Sequence, residues 1–377
     1  MIEVGIDEMT IVLQATDDVL DSMELEDWPK VADGITEEFL CRSGLRLALG
    51  PVVEEPRCPK GYTDAITLGF HSFYLAIAHN VRQPRMGVCV RISAQALACL
   101  VEVTSEAPYR LLARAYAPGE YSLRLSRVDL TVDYMNEGVS VTSVYRGLTS
   151  GSVAVMREQP DPRTGDVVLR RSASSLSGYA VGDAVPTFYL GSRKANVDAL
   201  LRVYDKKREQ EEGHGTRLHL AESLDDWVRF EASLRHSYAA QFGDAVRLAV
   251  DDAEYADLIG SVFAQRYQFY ENGEVAPYTE ALLNSLGARL LRLSSSSSRN
   301  GDLAASLRYV RDGSGLMPLL YKSSLIWGDG APSALLAWLL TALDFYEPNP
   351  DCRAWLRNNQ ADYRRSYVGV GDFLEEV

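Results

Sequence analysis

The run from Tyr121 to Tyr134 constrains this chain more than any other segment. Read as a strand, it puts Val128, Leu130 and Val132 on one face and Arg127, Asp129, Thr131 and Asp133 on the other, because strand side chains alternate. One face needs an apolar layer and the other carries charge, which calls for an α+β domain: a largely antiparallel central sheet with helices on one side. The same pattern returns between Trp227 and Leu234, where Phe230, Ala232 and Leu234 oppose Arg229, Glu231, Ser233 and Arg235. Between the two lies Leu201-Arg202-Val203-Tyr204-Asp205-Lys206-Lys207, whose alternation sets Leu201 and Val203 against Arg202, Tyr204 and Lys206.

Further strands are predicted at residues 9–13, 67–78, 86–93, 186–190 and 200–204, and helices at 27–45, 94–103 and 140–148. Residues 151–184, rich in Gly, Ser and Pro, read as a loop with a short strand near Val167. At 377 residues the chain is comfortable as two domains. The pattern turns helical after Tyr238, for example over 278–293 and 333–345, with a serine run at 294–298. This suggests one domain at 1–238 and a helical domain at 239–377.

The formal net charge of −14 argues against a nucleic-acid partner until its distribution is considered. Residues 1–60 carry 14 acidic against 5 basic side chains, so most of the excess sits there. From Arg157 to Arg208 ten Arg and Lys face six Asp and Glu. The stretch from Met1 to Gln14 has Glu3, Asp7 and Glu8 where a secretory signal needs a basic and then an apolar segment, and no apolar run is long enough for a membrane span. The five cysteines (Cys41, Cys58, Cys89, Cys99, Cys352) are scattered and odd in number, which fits a reducing cytoplasm.

Asp129 and Asp133 stand four residues apart, about 13 Å along a strand, too far for one cation to take both directly. Asp129 is the better ligand, with Asp133 at the strand end, behind a ligand, or structural. If the two patterned strands are neighbours, Asp129 and Glu231 offer hard oxygen donors to Mg²⁺ or Mn²⁺. The alternative is a set of cross-strand Arg–carboxylate pairs on a solvated sheet. Tyr204 sits between Arg202 and Lys206, and nearby positive charge favours a phenolate nucleophile, although an isolated tyrosine is more often a packing residue. The five histidines (His71, His79, His214, His219, His236) form no His-hydrophobic-His pair, and no phosphate-cradling G-x-x-x-x-G-K-[ST] loop occurs, so helicase activity within this chain is not expected.

Four blocks, Arg127 to Asp133, Thr187 to Lys194, Arg202 to Lys207 and Arg229 to Glu231, resemble in that order those of the Rep_trans replication initiation factor family. That family includes rolling-circle plasmid initiators, some filamentous-phage initiators and relaxases of conjugative elements. Ile6 to Ile11 and Met86 to Ser93 look like its earlier strands, so the likeness spans about residues 1–240. The resemblance implies an HUH-like or RRM-like nuclease core lacking the histidine motif. It also implies metal-dependent nicking of one DNA strand, with Tyr204 rather than Tyr189 as nucleophile and a 5′-phosphotyrosyl intermediate.

Under this reading Arg202 and Lys206 assist Tyr204, while Asp129, Glu231 and Asp133 are the candidate metal residues. Arg193, Lys194, Lys207 and Arg229 are candidate DNA contacts. The expected partners are single-stranded or hairpin origin DNA, a host helicase and a second copy of the chain, with no membrane. Two other functions fit the same residues: a metal-dependent nuclease using water, and a non-catalytic DNA-binding or assembly protein.

Overall fold

The computed structural model describes residues 1–54, 58–69, 75–160, 166–172, 174–194, 197–213, 215–287, 291–293, 303–308, 310–311, 315–348 and 350–375. They fall into two compact units, Met1–Ser294 and Ser295–Val377.

In the first unit the strands are β1 (Ile2–Ala15), β2 (Val52–Glu54), β3 (Asp64–Leu68), β4 (Leu75–His79), β5 (Val88–Ile92), β6 (Tyr121–Met135), β7 (Val153–Pro160), β8 (Val167–Arg171), β9 (Leu176–Val181), β10 (Ala184–Leu190), β11 (Ala199–Asp205), β12 (Trp227–Arg235), β13 (Gln268–Glu271) and β14 (Glu274–Val275). The helices are α1 (Asp17–Ser22), α2 (Trp28–Ser43), α3 (Leu45–Leu49), α4 (Ala94–Thr104), α5 (Pro108–Ala115), α6 (Val141–Ser150), α7 (Lys206–Gly213), α8 (Leu218–Ser223), α9 (His236–Val246), α10 (Asp252–Arg266) and α11 (Pro277–Ser285).

Among the described residues ten strands form one sheet in the order β2-β3-β4-β5-β1-β6-β12-β11-β10-β9, every pairing antiparallel. A second sheet runs β14-β13-β7-β8. The α+β, antiparallel expectation is met.

The apolar face of β6 and β12 makes the core. Val128, Leu130, Val132, Phe230, Ala232 and Leu234 are all buried, and α9 lies against them. Gly243 permits that approach, since a Cβ there would stand 2.9 Å from Leu125 Cγ. Tyr134 and Phe230 continue into a ring cluster with Phe269 of β13 and Tyr278 of α11, centroids 5.0–5.9 Å apart. Offset and edge-on aromatic packing of this kind adds to simple burial. It also explains why the first unit runs to Ser294: the break suggested after residue 238 falls inside it, because α9–α11 and β13 complete the core beneath β6 and β12.

Three local readings differ from expectation. The short strand expected near Val167 is β8, but the described residues of 151–184 also include β7 and β9 where a loop was expected; β9 is mostly exposed, so it shows no apolar alternation. The strand over 67–78 is two strands, β3 and β4, and residues 70–74 lie outside the described set. The helix over 278–293 stops at Ser285, where Leu286 turns extended and the Gly287 N–H donates to Asp257 Oδ1 at 2.7 Å. The serine run also lies outside the described residues.

The second unit consists of helices, Leu303–Arg308, Leu316–Trp327, Ala331–Thr341, Pro350–Ser366 and Val370–Glu375. Among the described residues no helix is long and apolar enough to cross a membrane.

Candidate active site

The three patterned strands lie side by side, β6-β12-β11. Directly paired residues of antiparallel strands share a face, so the register fixes what meets on the polar side. One row reads Glu3, Asp133, Arg229, Tyr204, Thr187; the next reads Gly5, Thr131, Glu231, Arg202, Tyr189; the third brings Glu8, Asp129 and Ser233 together. Helices α7 and α8 close one end of this face, where Met135, Ala221, Leu224 and Trp227 form a small separate apolar cluster.

Sequence reasoning did not single out Asp7 and Glu8 as site residues. β1 carries a bulge between Ile6 and Glu8. The extra residue lets both neighbouring carboxylates reach the polar face: Asp7 accepts from Arg229 Nη1 at 2.7 Å, and Glu8 accepts from Arg127 Nη1 at 3.0 Å and Arg91 Nε at 3.4 Å. The signal was present, since two adjacent acids interrupt the alternation of an opening strand.

Asp129 and Asp133 occupy separate networks. Asp129 accepts from Arg127 Nε (3.1 Å) and Nη2 (2.6 Å) and from Ser233 Oγ (2.7 Å). Asp133 accepts from Trp227 Nε1 (2.9 Å) and from Arg229 Nε and Nη2 (both 2.7 Å). Arg229 is thus a buried guanidinium held between Asp133 and Asp7. Burial by itself would lower its pKa, but the bonds and charge of Asp133 hold it above the ordinary arginine value. A group so enclosed presents nothing to a DNA backbone in this arrangement, contrary to its expected role as a DNA contact.

The centre of the face is Tyr204 with Glu231. The Tyr204 hydroxyl donates to Glu231 Oε2 at 3.3 Å, and Arg202 Nη1 lies 3.7 Å from the same oxygen. Arg202 stacks on the phenol ring, Cζ 4.0 Å from its centroid, while Lys206 Nζ stands at 5.6 Å. Tyr204 is only 3% exposed. Its pKa lies well above the ordinary tyrosine value: burial is the main cause, Arg229 opposes it, and the charges of Glu231, Glu209 and Asp7 add to it. The expectation that flanking cations lower this phenol therefore fails for the resting protein, because desolvation of the phenolate is the larger effect.

Burial also pushes the Glu231 carboxyl up to about 7, with Asp7 and Asp129 adding to it and Arg202 and Arg229 opposing. A carboxyl raised in this way favours the fold in its neutral form. That contribution is complete below the ordinary value of 4.5 and is lost as pH rises through about 7. Glu231→Gln, which cannot ionise, is therefore expected to be more stable than the parent at pH 8 by about 2–3 kcal/mol in chelator-treated protein, and equal to it near pH 4. Thermal unfolding at the two pH values checks this; a gain of the same size at both would show that charge is not its source.

The remaining expected residues separate by exposure. Lys206 opens α7 rather than continuing β11, and is buried in an ion pair with Glu209. Lys207 Nζ donates to Leu224 O at 2.5 Å, tying α7 to the segment before β12. Arg193 and Lys194 are exposed, and Arg193 Cζ lies 3.9 Å from the centroid of Tyr189. His79 packs edge-on against Trp28 and His219 lies at the surface beside Glu222, whereas His71 and His214 are outside the described residues.

The donor chemistry suits a hard divalent cation. All the ligand-type groups here are oxygens, and Asp7, Glu8, Asp129, Asp133 and Glu231 outnumber the guanidiniums that reach them, those of Arg91, Arg127, Arg202 and Arg229. Among the described residues no three carboxylate, imidazole or thiolate groups stand close enough to enclose a cation. A cation here would fill its coordination with water and phosphate, as Mg²⁺ commonly does.

Residues 123–291 match the model of the replication initiation factor family, Rep_trans. The initiation-factor segment includes β6, β11 and β12 with Tyr204, Asp129, Asp133 and Glu231. It begins later than the likeness seen in sequence, leaving β1 and β5 outside, and reaches further, through α11. A solved structure of a rolling circle replication initiator protein from Geobacillus stearothermophilus is similar at 18% identity and TM-score 0.49, over 78% of this chain and 100% of that one. No curated protein matches the chain.

Proposed function

We propose that the chain is a site-specific single-strand DNA endonuclease and strand transferase that starts rolling-circle replication or conjugative transfer. The observation that carries this reading is the Tyr204 hydroxyl bonded to Glu231, beside Arg202, inside the initiation-factor segment. Tyr204 is the nucleophile. The hydrogen bond orients the hydroxyl and directs its proton toward Glu231. The phenolic oxygen then bonds to phosphorus, the bond from phosphorus to the 3′-oxygen breaks, and that oxygen leaves as a hydroxyl after taking a proton. The aryl phosphate keeps the energy of the diester, so the strand can be rejoined.

Asp129 and Glu231 would hold the divalent cation, Mg²⁺ or Mn²⁺, which supplies Lewis-acid polarisation of the non-bridging oxygens. Arg202 would neutralise charge on the phosphate. Its Nε is buried without a hydrogen-bond partner, so a phosphate oxygen would complete its bonding. Asp133, Arg229 and Lys207 hold the framework in this reading; Arg193 and Lys194 meet DNA. Origin DNA, a host helicase and a second copy of the chain are the partners it calls for, with the helical second unit serving recognition or assembly.

The test is incubation of the full chain with Mn²⁺ and a labelled single-stranded origin oligonucleotide, followed by a denaturing gel. A labelled band at the protein's mass that disappears with chelator supports the proposal; free cleaved strand without adduct points to water as the attacking group. The burial of Tyr204 favours a second reading, a DNA-binding or assembly protein without cleavage. Binding with neither adduct nor cut strand would favour it.

A further inference from the structure

We propose that β9 and β10 form a base-stacking track that leads a single DNA strand to Tyr204, with Tyr179 and Tyr189 as its platforms and Arg193 as the cap on the inner one. The inference rests on the reading of the polar face as the DNA-cutting face and assigns positioning residues to it.

The geometry begins with α6, which covers the opposite side of these two strands. Tyr145 of α6 packs on Phe188 at 5.9 Å between centroids, and a Cβ on Gly178 would come 2.6 Å from the Tyr145 ring. Phe188 and Gly178 pair directly, so both point toward the helix. Their neighbours Tyr179 and Tyr189 therefore point the other way. Tyr179 pairs with Thr187, Thr187 with Tyr204, and Tyr189 with Arg202, which puts all three tyrosines on one face. Tyr189 is a diagonal neighbour of Tyr204, about 7–8 Å away, and Tyr179 lies two strands out, about 10 Å. A phosphate at the Tyr204 hydroxyl would leave the neighbouring bases over these rings.

The rings differ as a track requires. Tyr179, on the edge strand, is 66% exposed. Tyr189 is half-buried under the exposed guanidinium of Arg193, a plane that can shift onto an incoming base as it now lies on the ring. Between Leu176 and Lys194 the only acid is Asp183, against Arg193 and Lys194. Aromatic faces flanked by cations bind single strands without regard to sequence.

The experiment uses the full chain in the Tyr204→Phe background, which prevents covalent capture. Its probe is a thymidine oligonucleotide about a dozen nucleotides long carrying one 2-aminopurine, read by anisotropy and by quenching of the fluorescent base. Tyr179→Ala and Tyr189→Ala are each expected to weaken binding about 10-fold and to remove the quenching, while Tyr179→Phe and Tyr189→Phe keep both. Circular dichroism checks folding, and if Tyr189→Ala is unfolded, Tyr179→Ala at its surface position decides. Alanine variants that bind and quench like their parent, or a parent that binds no oligonucleotide, overturn the inference. Absence of an adduct in wild-type protein would instead remove the nickase reading and leave the stacking result standing.

Discussion

Tyr204→Phe is expected to abolish the covalent protein–DNA adduct, a loss of at least about 10³-fold in rate, while leaving oligonucleotide binding and thermal stability nearly unchanged. The size follows from chemistry: the substitution removes one oxygen, and that oxygen is the atom that bonds to phosphorus. Stability should hold because the hydroxyl makes one long hydrogen bond, 3.3 Å to Glu231, and Glu231 sits near the midpoint of its titration at neutral pH, so it can take a proton in place of the lost donor. The two readouts together separate the functions. A Phe variant that forms adduct at another tyrosine would transfer the nucleophile's role, and one that cuts without adduct would show that water attacks. A variant that binds DNA less well but cuts normally would make Tyr204 a packing residue.

The second large effect concerns Arg229. Its guanidinium bridges Asp133, 5% exposed at the side chain, and Asp7, 28% exposed. Replacing it with methionine leaves the Asp133 carboxylate buried with only the Trp227 Nε1 bond. Breaking a buried pair by removing one partner costs about 3–5 kcal/mol, which in a unit of this size lowers Tm by about 8–15 °C. The double variant Arg229→Met with Asp133→Leu should recover much of that loss, because an apolar pair of similar volume removes the uncompensated charge. Equal destabilisation in single and double variants would place the cost in packing. DNA affinity offers an independent check: once destabilisation is accounted for, the arginine's removal should leave the salt dependence of binding unaltered, whereas a phosphate contact would reduce its slope.

The alternation in Arg127 to Asp133, in Arg202 to Tyr204 and in Arg229 to Glu231 was enough to establish the antiparallel sheet, its buried face and the identity of the polar side chains. Period-two patterning expresses burial of one face, and that is written locally. It could not say which strands are neighbours. The juxtaposition of Tyr204 with Glu231 depends on β12 lying between β6 and β11 in one particular register, and a slip of one residue would have sent every one of these groups to the core side.

Three further matters were decided only by tertiary structure. The bulge in β1 that brings Asp7 and Glu8 to the site is a pairing irregularity, defined by a partner strand more than a hundred residues away. The protonated state of Tyr204 and the raised pKa of Glu231 come from desolvation, which no count of flanking lysines and arginines contains. Arg193, Arg202 and Arg229 read alike as basic residues beside a strand; one lies on an exposed ring, one stacks on the phenol, and one is locked between two aspartates. Residue type fixed what each could do, and the environment assembled by distant segments fixed which of those things it does.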